Sequence, residues 1–125
     1  MATLYTVEDL AGILRTSPRH VRALIKNRSI PAFDFDGCVR IREQSLLKVL
    51  PRFYIGSAFE KTSSMPIDWM KPCDVAEMFG LSTASILRRV RRRSIPFYRF
   101  GGHTIRFRGA ELEAFIKGKE LVHHG

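Results

Sequence analysis

Apolar side chains early in the chain recur at Leu10, Ile13 and Leu14, and again at Val21, Leu24 and Ile25, the three- and four-residue steps of helix faces. Thr6 stands ahead of the first set as an N-cap and predicts a helix over residues 7–14. Ser17-Pro18, an N-cap followed by proline at the first helical position, predicts a second helix ending near Asn27-Arg28. Pro31 cannot continue that helix, and beyond it the period changes. Phe33, Phe35, Val39 and Ile41 alternate with polar residues on either side of Asp36-Gly37, the pattern of a small β-hairpin with a buried aromatic face. Residues 44–50 read as a third helix. The succession then returns, with helices over 72–79 and 82–92 joined by Gly80-Leu81-Ser82, a hairpin across Gly101-Gly102 and a helix over 110–117.

The return is an internal duplication. At a constant offset of 65, Asp9, Ala11, Ser17, Phe35 and Gly37 fall on identical residues at 74, 76, 82, 100 and 102, and Arg-Ser-Ile-Pro occurs intact at 28–31 and 93–96. After the glycine the register slips by one, so that Val39-Arg40-Ile41-Arg42 matches Ile105-Arg106-Phe107-Arg108. One inserted residue at a Gly-containing turn is what a hairpin tolerates. The order helix, tight turn, helix, hairpin is that of a winged helix-turn-helix, so the expected fold is mainly α with small β-hairpin wings, in two tandem copies. The expected organisation is a first module over 1–52, a partly packed linker over 53–68 and a second module over 69–125. In the linker, Arg52-Phe53-Tyr54-Ile55 is apolar enough to pack on copy one, and Lys61-Thr62-Ser63-Ser64 is the expected flexible stretch. Trp69 is expected to pack on the first helix of copy two, and residues 117–125 to extend the last helix or fray.

Charge then says what such a scaffold meets. The 125 residues carry 21 Lys and Arg against 12 Asp and Glu, a formal net charge of +9. The excess is shared, because residues 1–65 hold ten basic and six acidic side chains and residues 66–125 hold eleven and six. A polyanion is the natural partner of a chain basic in both halves. If Val21, Leu24 and Ile25 face inward, the second helix of copy one turns Arg19, His20, Arg22 and Lys26 outward, with Ser17 at its start. The corresponding helix of copy two offers Thr83, Ser85, Arg88, Arg89, Arg91 and Arg92 as candidate DNA contacts. Arginine binds guanine edges bidentately, and Ser or His reach base edges or phosphates. Arg89 occupies the place of Leu24, where periodicity would bury it, so either its guanidinium snorkels out or the helix is rotated. Five guanidiniums between Arg88 and Arg93 repel one another until phosphates neutralise them; a solvated charged face is the alternative. On or beside the hairpins lie Arg40, Arg42, Arg99, His103, Arg106 and Arg108, candidates for phosphate and minor-groove contact by the wings.

Each copy resembles the excisionase/AlpA-like (MerR-type) helix-turn-helix family over about 45 residues. The likeness rests on Thr6-Val7-Glu8-Asp9-Leu10-Ala11 and Asp74-Val75-Ala76-Glu77-Met78-Phe79-Gly80 in helix one, and on 17–26 and 82–91 in helix two. It continues through Ser-Ile-Pro at 29–31 and 94–96, and through the second wing, 97–103 and 105–108. Copy one departs in Asp34 and Asp36, which add negative charge near its wing. The resemblance implies a cofactor-free double-stranded DNA-binding protein of a mobile element. The expected role is a recombination directionality factor at attachment-site repeats, with an integrase as protein partner and neighbouring copies along the DNA; a transcriptional regulator would use the same reading heads.

Other classes are weaker. Cys38, Cys73, His20 and His103 have no CxxC or HxxxH spacing, so no metal is expected; two cysteines make no disulfide framework, and Cys73 is expected to be a small core residue. His123-His124 reads as solvated tail. No phosphate loop, nucleophile elbow or paired carboxylates point to an enzyme. Phe53-Tyr54-Ile55 is far short of the roughly 20 apolar residues that span a bilayer, and the amino terminus lacks a secretory pattern, so a cytoplasmic, nucleoid-associated protein is expected. The rival from another class is a protein-interaction module, which would expose an apolar patch around Phe53, Tyr54, Ile55 and Phe59. RNA binding is disfavoured because Phe33, Phe35, Phe97 and Phe100 are expected in the core rather than on a stacking platform.

Overall fold

The computed structural model describes residues 3–121. Strand β1 (Leu4–Tyr5) leads into α1 (Val7–Leu14), whose start is fixed by a capping box: the Asp9 amide donates to Thr6 Oγ1 at 2.9 Å and the Thr6 amide to Asp9 Oδ2 at 3.0 Å. Helix α2 (Pro18–Lys26) follows after a turn through Arg15 in the left-handed region (φ 57°), with Ser17 Oγ capping the His20 amide. Strands β2 (Phe33–Phe35) and β3 (Cys38–Arg42) form the hairpin, and α3 (Glu43–Val49) runs into a 3-10 turn at Leu50–Phe53. Strands β4 (Tyr54–Ile55) and β5 (Trp69–Met70) bracket the linker. Copy two then gives α4 (Pro72–Phe79), α5 (Thr83–Arg91), β6 (Phe97–Arg99), β7 (Ile105–Arg108) and α6 (Gly109–Lys119). The helices and hairpins thus stand where periodicity puts them; the three two-residue strands are too short for a periodic signal.

The copies share backbone as well as sequence. Leu4 pairs with Arg42 and Phe33 with Arg40 in the first sheet; Trp69 pairs with Arg108 and Tyr98 with Arg106 in the second. Left-handed residues recur at matching places, Arg15 with Gly80, Arg28 with Arg93 and Asp36 with Gly101. The sheets differ at one edge. Their orders are β1-β3-β2 and β4-β6-β7-β5, so the linker strand β4 covers the edge of β6, while the edge of β2, the counterpart of β6, is bare among the described residues. The protein is a tandem winged helix-turn-helix.

The two modules are not beads on a tether. The second has a core of its own, with Val75, Ile86, Val90, Phe97, Phe107 and Leu112. Tyr98 and Phe100 of its wing, with Trp69 and Met65, belong instead to the core of the first module, among Leu14, Leu24 and Leu50. Trp69 stands edge-on to Tyr98 (centroids 4.8 Å) and Phe53 lies 4.8 Å from Phe100. Trp69 therefore packs into copy one rather than on the first helix of copy two, because β5 sets it beside β7 and its ring reaches across the junction. The linker is held from both sides. Tyr54 packs with the first core and Ile55 with the second. Glu43 Oε2 accepts from Tyr5 Oη (2.6 Å) and from the Met65 amide, and the Glu111 carboxylate accepts from the Glu60 amide. Lys61–Ser64 lies exposed apart from Thr62, between these two anchors.

Candidate nucleic-acid interface

Helix α2 buries Val21 and Leu24 and leaves Arg19, Arg22, Ala23 and Lys26 exposed. Arg22 Nη2 lies 2.9 Å from Glu8 Oε2, an ion pair more than half exposed on both sides and therefore weak enough to yield to phosphate. An open groove between this helix and the first wing is lined by Val7, Glu8, Arg22, Lys26, Val39 and Arg40. Helix α5 buries Ile86 and Val90 and exposes Thr83, Ala84, Arg88, Arg89 and Arg91, while Arg92 is its C-cap and Arg93 turns left-handed at φ 56°. Crowding of arginines into the last turn suits the negative end of the helix dipole. Arg89 does not rotate the helix; its guanidinium lies exposed and folds back on the carbonyl and hydroxyl of Ser85. Arg99 and His103 stand exposed on the second wing, Arg99 bonded to the Gly102 carbonyl.

Three predicted contact residues are occupied elsewhere. Arg108 is 5% exposed, with Nη1 2.6 Å from Glu111 Oε2 and bonded also to Tyr98 Oη and the Glu60 carbonyl. It is a buried structural cation, and so does not reach phosphate. Burial pushes the Glu111 carboxyl above its ordinary value, opposed by the Glu60 amide, the Tyr98 hydroxyl and Arg108. Arg106 is turned into the junction, where Nε donates to the Leu14 carbonyl (2.8 Å) and Nη2 to that of Arg15 (2.6 Å). These carbonyls close α1, so one guanidinium caps the helix end of the other module. His20 Nε2 lies 2.6 Å from the Phe100 carbonyl; a carbonyl only accepts, so Nε2 carries the proton.

The junction itself escaped the sequence reading. Arg15, left-handed where copy two has Gly80, reaches Asp74 at 2.6 Å; an arginine in a conformation suited to glycine was the available signal. The hairpin aromatics split, for Phe97 and Phe100 are buried whereas Phe33 and Phe35 are exposed. Phe97 is buried in the second module's own core, and Phe100 against the first module, on which the second wing leans. The exposed apolar face lies there rather than at Phe53, Tyr54, Ile55 and Phe59, all partly buried against the cores. Cys73, expected in the core, is exposed, and so is Cys38. His123-His124 lies outside the described residues.

The docked wing lies against the reading helix of the first module. A Cβ at Gly101 would stand 2.9 Å from His20 Cε1, so the second wing touches the side of α2, bringing Arg99 and His103 next to a helix that exposes Arg19, Arg22 and Lys26. The helix-turn-helix domain family matches residues 4–51 and again 69–120.

The chain belongs to the helix-turn-helix domain family.

Its two helix-turn-helix segments together span most of the sequence, and the family is one of DNA-binding modules. No curated protein and no solved structure matches the chain. Among the described residues there is no group of three or more metal-ligating side chains, and no helix long and apolar enough to cross a membrane.

Proposed function

We propose that this protein binds double-stranded DNA sequence-specifically at two adjacent half-sites, as a recombination directionality factor of a mobile element. One observation carries the bipartite reading: the second wing is part of the first module's core, so α2 and α5 are held in one relation to each other. Two reading helices in fixed relation select repeats of one spacing without needing a dimer. Arg19, Arg22 and Lys26 of α2 and Thr83, Arg88, Arg91 and Arg92 of α5 are the proposed reading and anchoring residues. Ser17 and Ser85 accompany them at the helix starts, Arg40 and Arg42 border α2 and α3, and Arg99 and His103 serve the second wing. Arg106 and Arg108 drop out of the set, and His20 acts through the wing it holds. An integrase as partner, neighbouring copies along the DNA and a place on the nucleoid belong to the same reading. A transcriptional regulator would use the same surface.

The experiment is to incubate purified protein with fragmented host genomic DNA and to sequence the retained fragments. Clustered repeats beside an integrase gene or attachment site support the directionality factor. Peaks at promoters replace it with a regulator, and no enrichment over input removes sequence-specific binding.

A further inference from the structure

The surface through which the modules dock occurs twice in the duplicated chain and is used once. Trp69, Tyr98 and Phe100 are 2%, 0% and 1% exposed because they rest on module one; their counterparts in the first copy, Leu4, Phe33 and Phe35, are 47%, 43% and 59% exposed. Matching strand registers place these side chains alike on their sheets. Arg40, the counterpart of Arg106, is already posed like it. Each donates Nη1 to the carbonyl of the residue before it, at 2.8 and 2.7 Å. Arg106 spends its other N–H groups on the end of α1; those of Arg40 meet no acceptor among the described residues.

The receiving side is also duplicated and bare. The end of α1 accepts Arg106, and its counterpart is the end of α4, flanked by exposed Met78 and Leu81. The strand that covers the edge of β6 is Tyr54–Ile55, directly after the turn that closes α3. Directly after α6 the corresponding residues are Glu120 and Leu121, and Leu121 is 84% exposed. The bare edge of β2 is where such a strand would pair.

Two oddities of sequence fit this geometry. Gly101 approaches His20 and Leu24 of α2; at the matching positions stand Asp36 in the wing and Ser85 and Arg89 on α5. Asp36 keeps the left-handed backbone of that glycine (φ 51° against 81°), which aims a carboxylate at the place where the receiving helix carries a guanidinium. A carboxylate in a position that favours glycine, and an arginine in an apolar stripe, become partners.

We propose that copies of this chain associate head to tail, the first wing and β1 of one copy seating on α4 and α5 of the next as the second wing seats on module one. The contact is heterologous and leaves both ends open, so it builds chains of copies rather than a closed dimer. Because each step repeats the step inside the chain, successive reading helices follow at one interval, and in the associated chain Arg40 and Arg89 serve the junction rather than the DNA. The inference gives the neighbouring copies of the proposed function a defined contact. It rests on the interface within the chain and is tested without DNA, so it stands or falls separately from DNA binding.

Sedimentation velocity of the full chain over a wide concentration range should show mass rising past dimer. Phe35→Glu in the wing and Arg89→Asp in the receiver each replace an exposed side chain, and unchanged thermal melts verify that both fold. Each alone should weaken association about tenfold or more by burying an unpaired or like charge. Mixed, they retain one good wing and one good receiver and should form a dimer that grows no further. Asp36→Arg should lose association and regain it in combination with Arg89→Asp. A wild type that stays monomeric, a closed wild-type dimer, or association indifferent to these substitutions overturns the proposal.

Discussion

Arg108 and Arg42 occupy the same place in the two copies and have opposite fates. Arg42 is exposed, bonded to Ser45, whereas Arg108 is buried beside Glu111. Strand alternation treats them alike; what separates them is a carboxylate three residues on and a linker laid over the top, and only the first of these is written locally. A buried pair deprived of one partner is costly, so Glu111→Ala should lower unfolding stability by about 3–5 kcal/mol in denaturant titration. A loss below about 1 kcal/mol would mean that the pair opens to solvent.

Asp74 gives a residue-scale prediction in pH. The Lys71 amide, and then the Arg15 guanidinium, hold its carboxyl below the ordinary value near 3.8. A depressed acid contributes stability above its unfolded value, and that contribution is lost as pH falls through the folded one. Wild type should therefore melt above Asp74→Asn at neutral pH, and the gap should close below about pH 4. Comparing the two cancels the shared titration of Glu111. A gap independent of pH would show that the charge of Asp74 does not act.

Among the elements, α1, α2, α4 and α5 were legible because their caps, apolar steps and breakers all lie within a turn or two of each other. The hairpins were legible as hairpins, but not in what they touch. Phe35 and Phe100 are the same residue at matching places of the two hairpins, and hairpin periodicity treats them alike although one is buried and the other bare. Likewise β1, β4 and β5 owe their existence to a neighbour strand and have no period of their own. Helix α5 carries the prediction for DNA at this scale. Replacing Arg88, Arg91 and Arg92 by Ala should abolish DNA binding while leaving the fold intact, since all three are exposed. If instead α5 contributes nothing to binding, retention curves of the triple variant and wild type will superimpose. With about eight phosphates neutralised by the two modules, log K should fall against log salt with a slope of about −7. A slope near zero contradicts phosphate-dominated binding.

At the scale of the whole molecule, duplication was visible and docking was not, because the polar contacts of the junction join residues 59 to 92 positions apart: Arg15 with Asp74, His20 with Phe100, Arg106 with the end of α1. Those contacts turn two modules into one body. Phe100→Ala should cost about 3–5 kcal/mol, as for a buried core aromatic, although Phe100 belongs to a wing. Unfolding should then show one transition rather than two, and a two-step melt of the wild type would separate the modules. The most direct measurement uses the site recovered from genomic fragments, with the DNA between its half-sites lengthened by half a helical turn, about 5 base pairs. Docked modules cannot follow the second half-site around the duplex, so affinity should fall to that of a single half-site. Affinity unchanged by the insertion would contradict a fixed relation between the two reading helices.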